Sequence, residues 1–456
     1  MNILAIFLLI SIFLFPDTVF LSPVLPIPRI IKVLLVLLLV LSFIKTKMGL
    51  DNFDVNSFPA NGIQKAKAKF SSKVISGIIS LVILFGQRFN RFLDQPLKSF
   101  LGSWILLITY VFIIDLIHNN PIQGINDFLI NASFLLMFVT FLSLKLKEEF
   151  HSKKFIKIIS ILSAVIILIG AIQILFPRFT YEYLFSLNPI VHQNIDSLFS
   201  NYIAREGRIT GPFNISIGYS ILLGYIIIFS LIHYEEKKEN KYLLLLFTAS
   251  IISFFTFTRS LIYGILPSIF IGKYILNRNR KILIRGLVFV LISSIVFFLI
   301  ITQVIKHENE RVKSLVDPGT GAKLIANYYG ALGALEQNPF FGIPFEKNID
   351  VIFSGLESRN PEFTNNVRIA DTNHNQFVWF LKYYGIAGLV MFIVFNIYLL
   401  KVLFSIKDDR YKKISIIFYI FFLQFSLLHN NFFFRDFYFL TFLGIALNKD
   451  KYFNAE

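Results

Sequence analysis

A polar cluster, Asp371-Thr372-Asn373-His374-Asn375-Gln376-Phe377, lies between the longest hydrophilic stretch of the chain and a strongly apolar segment. Histidine has the side-chain pKa nearest neutrality, so an imidazole at such a boundary can take a proton from an incoming hydroxyl group. His374 is therefore a candidate general base, and Asp371 could orient its ring. The alternative is that His374 only caps a helix or lies at the membrane interface.

Two further polar stretches carry arginine at the ends of apolar segments. They are Arg205-Glu206-Gly207-Arg208-Ile209-Thr210-Gly211-Pro212-Phe213-Asn214 and, at a tight turn, Thr256-Phe257-Thr258-Arg259-Ser260. A guanidinium group stays charged, and its planar fork can bind two phosphate oxygens at once. These arginines are candidates for binding a phosphate-bearing ligand, although an arginine at a helix end can also simply anchor the helix among lipid headgroups.

Proline and glycine predict where the backbone turns around these groups. Pro212 suits the first turn of a helix, and Gly211 would let a ligand approach the backbone closely. The stretch from Ala331 to Phe345 predicts a short amphipathic helix that ends at Asn-Pro and is followed by a glycine turn. After the His374 cluster, Gly385 and Gly388 are predicted to separate a short helix from the long span behind it.

The elements that must position these groups are transmembrane helices. The chain is 55% hydrophobic, and its apolar residues form nearly continuous blocks such as Ile282 to Val304. Such blocks exclude a β-barrel, whose strands alternate in hydrophobicity. We predict an all-α integral membrane protein, a polytopic bundle of about 12 to 13 transmembrane helices. The segments lie near 3–15, 28–44, 72–86, 101–117, 127–143, 155–176, 212–233, 242–257, 260–275, 282–304, 378–403, 412–428 and 431–447.

Charge distribution predicts the orientation of the bundle. Two long polar loops, 178–210 and 305–373, alternate with short basic loops, which are expected in the cytoplasm. Both long loops, Arg259 and His374 then face the opposite, periplasmic or external, side. The apolar run from Ile3 to Phe15 lacks a basic start and a small-residue cleavage site, so we predict a retained first span. Because this alternation would export the basic linker from Lys45 to Lys73, the number of early spans stays open.

Several classes of function are disfavoured by composition. The net charge of +16 comes largely from short loops, where Lys and Arg contact anionic lipid headgroups, so no nucleic-acid partner is expected. The absence of cysteine excludes a thiol nucleophile, and the scattered histidines predict neither a metal site nor a cofactor. His429, in His429-Asn430-Asn431, is a reserve candidate for the base. The scarcity of ionisable residues inside the spans and the lack of internal repeats disfavour a transporter.

Four motifs occur in an order that resembles the O-antigen ligase and O-antigen polymerase superfamily. They are Arg-x-x-Gly-Pro before a span, Thr-Arg-Ser at the next outer turn, Gln-Asn-Pro-x-x-Gly in the large loop, and His-Asn followed by Tyr-Gly-x-x-Gly-Leu. The resemblance covers about residues 205–404. It implies a GT-C-like bundle with one large periplasmic loop, and a metal-independent glycosyltransferase of the bacterial inner membrane.

By this resemblance, Arg208 and Arg259 match the donor-binding arginines of the family and His374 matches its proposed base. Lys323 stands where the family often has an arginine in the large loop, and lysine cannot form a bidentate fork. Arg205 and Asn375 are expected to support the site. The predicted regions are 1–204 with the N-terminal spans, 205–404 as the family-like core, and 405–456 with the last spans and a short cytoplasmic tail.

The implied donor is a glycan on a polyprenyl diphosphate, and the implied acceptor is a hydroxyl group of a glycan or a lipid. A chain-length regulator and a flippase are further expected partners in the membrane. Polymerase and ligase activity remain equally open, because both share one donor and one chemistry. The different-class alternative is an exporter or flippase of lipid-linked glycans, and a third alternative is a scaffold in a polysaccharide-export complex.

Overall fold

In the computed structural model, the described residues form helices and no strand. They are residues 95–118, 124–125, 128, 135, 138, 155–180, 209–211, 216–256, 258–282, 284–286, 288–292, 319–344, 350, 375–428 and 440–441. The helices are α1 Gln95–His118, α2 Phe155–Leu175, α3 Pro177–Phe179, α4 Ser216–Lys237, α5 Asn240–Phe254, α6 Arg259–Asn277, α7 Gly319–Gln337, α8 Gln376–Ser405 and α9 Asp409–Leu428.

The predicted apolar segments are confirmed as helices wherever the structure describes most of their residues. Helices α1, α2, α4, α5, α6, α8 and α9 fall on seven of the predicted segments. Of the described helices, α1, α2, α4 and α8 are long and apolar enough to cross a membrane, and α5 is a shorter apolar helix. The described part is thus an all-helical membrane protein. The predicted spans near 3–15, 28–44 and 72–86, and most of 127–143, 282–304 and 431–447, lie outside the described residues.

Glycine lets the helices of the bundle approach one another closely. A Cβ atom at Gly224 of α4 would overlap the ring of Phe421 of α9. A Cβ atom at Gly272 of α6 would likewise strike Ile417, also of α9. Small residues at such contacts are typical of membrane helices, which associate by close packing because lipid is as apolar as their side chains. Helix α9 is therefore the central helix on which α4 and α6 pack.

One end of the bundle is charged. Arg410 at the start of α9 pairs with Glu236 near the end of α4. Lys241 donates a hydrogen bond to Glu239 between α4 and α5, which holds the pKa of that carboxyl group below its usual value. Basic residues outnumber acidic ones by more than two to one over 235–241, 273–285 and 401–413. We call this the charged end, and it contains three of the short basic loops that were predicted to be cytoplasmic.

The opposite end, which we call the motif end, gathers the polar motifs. Because α8 and α9 are antiparallel, the start of α8 at Asn375 lies at the end of the bundle where α9 finishes. The same end contains Gly211 before α4, Thr258 before α6, and His118 at the end of α1. The described parts of the first, second and fourth motifs therefore lie at one end of the described bundle.

Helix α7 is longer than the short amphipathic helix that was predicted between Ala331 and Phe345. It begins at Gly319 and ends at Gln337. The end agrees with the prediction, because Asn338 before Pro339 disfavours a further turn. The predicted start was wrong because glycines such as Gly321 weaken an isolated helix, whereas packing against α8 stabilises this one.

Candidate functional site

A single buried side chain, Gln173 of α2, holds the first arginine stretch. Its Oε1 accepts hydrogen bonds from the backbone N–H groups of Thr210 at 3.1 Å and Gly211 at 2.8 Å. Its Nε2 donates to Thr210 Oγ1 at 3.4 Å. This backbone is irregular and lacks the hydrogen bonds of a helix, so a side chain must supply them. Gln173 thus fixes Thr210 and Gly211, two and three residues after Arg208.

The space that a side chain at position 211 would occupy is filled by the ring of Tyr219. Gly211 has φ of +57°, and a Cβ atom there would overlap the ring of Tyr219. Tyr219 is fully buried, and its hydroxyl group donates to the carbonyl of Ile166 at 3.0 Å. Glycine is therefore required at 211 for the close packing of Tyr219, and the approach of a ligand to its backbone stays a prediction. Pro212, predicted in the first turn, lies outside the described residues, and α4 begins at Ser216.

The two arginine stretches meet at the motif end. The backbone N–H of Ile209 donates to the carbonyl of Phe255 at 3.1 Å. Ile209 directly follows Arg208, and Phe255 is four residues before Arg259, the first residue of α6. Arg205 and Arg208 themselves lie outside the described residues. The contact nevertheless joins two separate loops, one at the residue after Arg208 and the other four residues before Arg259.

Threonine side chains close the turn that leads into α6. Thr256 Oγ1 donates to the carbonyl of Ser253 at 2.8 Å and accepts from the backbone N–H of Thr258 at 3.3 Å. Both threonines are buried, and Thr258 precedes the first residue of α6. The predicted tight turn between the two apolar segments is confirmed. Its hydrogen bonds fix the backbone direction at Arg259.

The third motif forms a compact turn after α7. Asn338 Oδ1 accepts from the backbone N–H of Phe341 at 3.3 Å, and the Asn338 carbonyl accepts from the N–H of Gly342 at 3.1 Å. Gly342 has φ of +73°, a conformation that favours glycine. The predicted glycine turn is confirmed.

This turn interlocks with a kink in α8 at Gly385. In a continuous helix the N–H of Ile386 would bond to the carbonyl of Lys382, four residues earlier. Here the Ile386 N–H donates to the carbonyl of Pro339 at 2.8 Å, and the Lys382 carbonyl accepts from the N–H of Ile343 at 3.0 Å. The turn thus satisfies the donor and the acceptor that the kink frees, which is required inside a membrane protein. The third and fourth motifs are two halves of one structure.

Glycine is needed on both sides of this interlock. Gly385 has φ of +65° and ψ of −167°, and a Cβ atom there would overlap the backbone of Phe340. A Cβ atom at Gly342 would overlap the backbone of Lys382 and Tyr383. The prediction that Gly385 breaks the helix is confirmed. The same prediction for Gly388 is wrong, because Gly388 is helical and packs beside the Tyr110 ring.

Asn375 caps the short helix that precedes the kink. Its Oδ1 accepts from the backbone N–H groups of Phe377 at 2.9 Å and Val378 at 3.2 Å. The helix-cap alternative for His374 is therefore wrong, because the cap is the next residue. Asn375 thus fixes the start of α8, and its supporting role in a site stays a prediction. His374 and Asp371 lie outside the described residues.

Lys323 is placed apart from the interlocked turn along the helix axis. It is the fifth residue of α7, whose last residue, Gln337, leads into the turn. At 1.5 Å per residue, about 21 Å of helix separates the two. Within the described ranges, no group of three or more His, Asp or Glu residues could hold a metal ion.

Sequence analysis missed two buried polar residues that the structure places at the motif end. Gln173 lies in α2, and Asp115 of α1 accepts a hydrogen bond from the Tyr384 hydroxyl group at 2.9 Å. Each is a polar residue near the end of an otherwise apolar spanning helix. Such residues are costly in a membrane and are retained for a reason, and this signal could have identified both.

We expect Gln173→Leu to lower the free energy of unfolding by about 2 kcal/mol, because the N–H groups of Thr210 and Gly211 lose their acceptor. Denaturation in mixed micelles with increasing dodecyl sulfate measures this change. Gln424→Leu is the matched control, because Gln424 accepts one hydrogen bond, from Ser268, on a different face of the bundle. It should cost about 1 kcal/mol. Equal stability of Gln173→Leu and the wild type would contradict the role given to Gln173.

Comparison of the chain with protein-family models and with curated proteins finds no match.

Proposed function

We propose that this protein is a membrane glycosyltransferase of the O-antigen ligase and polymerase type. It transfers a glycan from a polyprenyl diphosphate to an acceptor hydroxyl group. The observation that supports this most directly is the hydrogen bond between Ile209, next to Arg208, and Phe255, four residues before Arg259. Two guanidinium groups on adjoining backbones suit a diphosphate, which carries several oxygens for charge-assisted hydrogen bonds.

In this reaction the protein stabilises the leaving group, deprotonates the acceptor and places positive charge around the donor. The acceptor oxygen attacks the anomeric carbon of the glycan, the bond from that carbon to the diphosphate oxygen breaks, and the carrier diphosphate leaves. Arg208 and Arg259 stabilise the charge that develops on the leaving group. His374 takes the proton from the acceptor hydroxyl group, and Asp371 orients its ring. Arg205 and Lys323 add positive charge around the donor, and Lys323 does so from the far half of α7.

The bundle is oriented with its charged end in the cytoplasm. The excess of Lys and Arg at that end supports this orientation through the positive-inside rule. The motif end then lies on the periplasmic face of a bacterial inner membrane, where a glycan on a polyprenyl carrier is accessible after a flippase has moved it. A chain-length regulator is a further partner on that side.

The positions of buried ionisable residues favour an enzyme over an exporter. In the described helices, Asp115 and Lys382 are buried near the motif end, and His233 is buried near the charged end. An exporter that moves charged lipid-linked glycans would need polar groups along its path near the midplane. Asp115 and His233 are instead within four residues of a helix end, and Lys382 lies in the short segment of α8 before the Gly385 kink.

The surface-glycan profile of a strain that lacks the protein tests this function. Glycans are resolved by size and by the lipid that carries them. Single repeat units on the final acceptor would identify a polymerase, and full-length polymer on the polyprenyl carrier would identify a ligase. Reintroducing the wild-type chain should restore the profile. An unchanged profile in the deletion strain would contradict the proposal.

A further inference from the structure

Helix α1 presents two polar side chains, Tyr110 and Asp115, to the short segment of α8 before its kink. The Tyr110 hydroxyl group donates to the Tyr384 carbonyl at 2.7 Å and lies 3.1 Å from the Phe340 carbonyl oxygen. The Tyr384 hydroxyl group donates to Asp115 Oδ1 at 2.9 Å. Both side chains of α1 thus contact Tyr384, the last residue before Gly385.

Apolar side chains pack α1 against α8 independently of these polar contacts. Farther from the motif end, Phe100 and Trp104 of α1 already pack against Phe395 of α8. Asp115 is only 4% exposed, and a carboxylate in a spanning helix is expensive to bury. A hydrogen bond has direction, whereas apolar packing has little. The polar contacts therefore fix the orientation of the segment more sharply than packing alone could.

The segment that they hold links two parts of the proposed site. It runs over residues 376–384, begins at the Asn375 cap directly after His374, and ends at the kink that interlocks with the turn at Phe340. Nine helical residues span about 13 Å, so a tilt of about 10° would move the far end by about 2 Å. A misplacement of about 1 Å in an active site can cost a hundredfold in rate.

We propose that Tyr384 and Asp115, assisted by Tyr110, are positioning residues for glycan transfer. Their hydrogen bond sets the orientation of residues 376–384 and thereby the place of His374 at the start of that segment. The inference rests on the proposed function. It extends the site to α1, which lies outside residues 205–404 that resemble the family.

Tyr384→Phe in the full-length protein is the first test. The protein is reconstituted in vesicles of phosphatidylethanolamine and phosphatidylglycerol, with lipid-linked glycan extracted from the deletion strain as donor. We expect kcat to fall about tenfold while KM for the donor stays within about twofold, since only geometry at the reacting atoms changes. Tyr398→Phe, further along α8 where the ring contacts Lys401, is the matched control and should leave both constants unchanged.

Variants of Asp115 separate positioning from a general loss of stability. Asp115→Leu removes the acceptor and should lower kcat as Tyr384→Phe does. Asp115→Asn keeps an acceptor oxygen and should recover most of that lost rate. The double variant Tyr384→Phe and Asp115→Leu should be no slower than either single variant, because both remove one interaction. Additive losses would contradict the pairing.

The chain has no cysteine, so spin labels can report the kink directly. Labels at Val378→Cys and Phe404→Cys flank Gly385, and about 39 Å of helix separates them. We expect one narrow distance in the otherwise wild-type chain, a broader distribution with Tyr384→Phe, and no change with Tyr398→Phe. A narrow distance in Tyr384→Phe, or an unchanged kcat, would overturn the proposal. If the wild type transfers no glycan but the distances still respond to Tyr384→Phe, the proposed function fails, whereas the role of Tyr384 in orienting residues 376–384 is supported.

Discussion

Replacing His374 by alanine is expected to abolish glycan transfer while the protein still folds and inserts. A general base contributes about a hundredfold to ten-thousandfold in rate, so the loss should be at least a hundredfold. The fold should survive because the cap of α8 is Asn375, whose Oδ1 holds the N–H groups of Phe377 and Val378. Transfer of lipid-linked glycan in reconstituted vesicles, at matched amounts of inserted protein, measures the effect.

His429→Ala is the matched control for this variant. His429 directly follows Leu428, the last residue of α9, in the sequence, and was the reserve candidate for the base. Its alanine variant should keep transfer within about twofold of the wild type. Near-normal transfer by His374→Ala would refute the base assignment, and a selective loss in His429→Ala would move that role to His429.

The helices could be predicted because a spanning segment in lipid has few alternatives to a helix. The predicted span 378–403, for example, became α8 at Gln376–Ser405. The kink at Gly385 was also predicted, since glycine is the residue that tolerates such a conformation. Gly388 was misjudged because packing against Tyr110 stabilises a glycine within a helix. Local residue types therefore gave the elements and most of their ends.

The partners of these elements could not be predicted. The interlock between the turn at Pro339 and the kink at Gly385 is made by backbone groups, which are the same in almost every residue. Nothing in either motif specifies the other. Gln173 binds a backbone segment more than thirty residues away, and its own neighbours in sequence are apolar. Such contacts depend on how the helices pack.

The structure describes only part of the candidate site. The resemblance predicts Arg208 and Arg259 in one site, and the structure joins Ile209, next to Arg208, to Phe255, four residues before Arg259. The helix cap that was considered for His374 is formed instead by Asn375, a residue type that commonly caps helices. The roles of Arg205, Arg208, Asp371 and His374 stay predictions, since these residues lie outside those the structure describes. The contributions of Asp115 and Tyr384 come from α1 and α8 together and became visible only in the fold.

Gly385→Ala should destabilise the protein by more than about 2 kcal/mol and reduce transfer at least tenfold. The conformation at φ of +65° and ψ of −167° is nearly restricted to glycine, and another residue there costs about 1 to 3 kcal/mol. The added Cβ atom also overlaps the backbone of Phe340, so the turn must move away. That movement would leave the Ile386 N–H without its acceptor, the carbonyl of Pro339. Denaturation in mixed micelles gives the stability, and reconstituted vesicles give the rate.

Gly102→Ala provides the comparison, because Gly102 is an exposed helical residue of α1 with nothing within 4 Å of an added Cβ atom. Alanine favours a helix over glycine by up to about 1 kcal/mol, so this variant should be as stable as the wild type or slightly more so. Gly342→Ala should resemble Gly385→Ala, and the double variant should lose less than the sum of the two, because both break one interlock. If Gly385→Ala were as stable as Gly102→Ala, the turn and the kink would not depend on each other. The contacts of Tyr110 and Asp115 with Tyr384 would then not be needed to hold the kink.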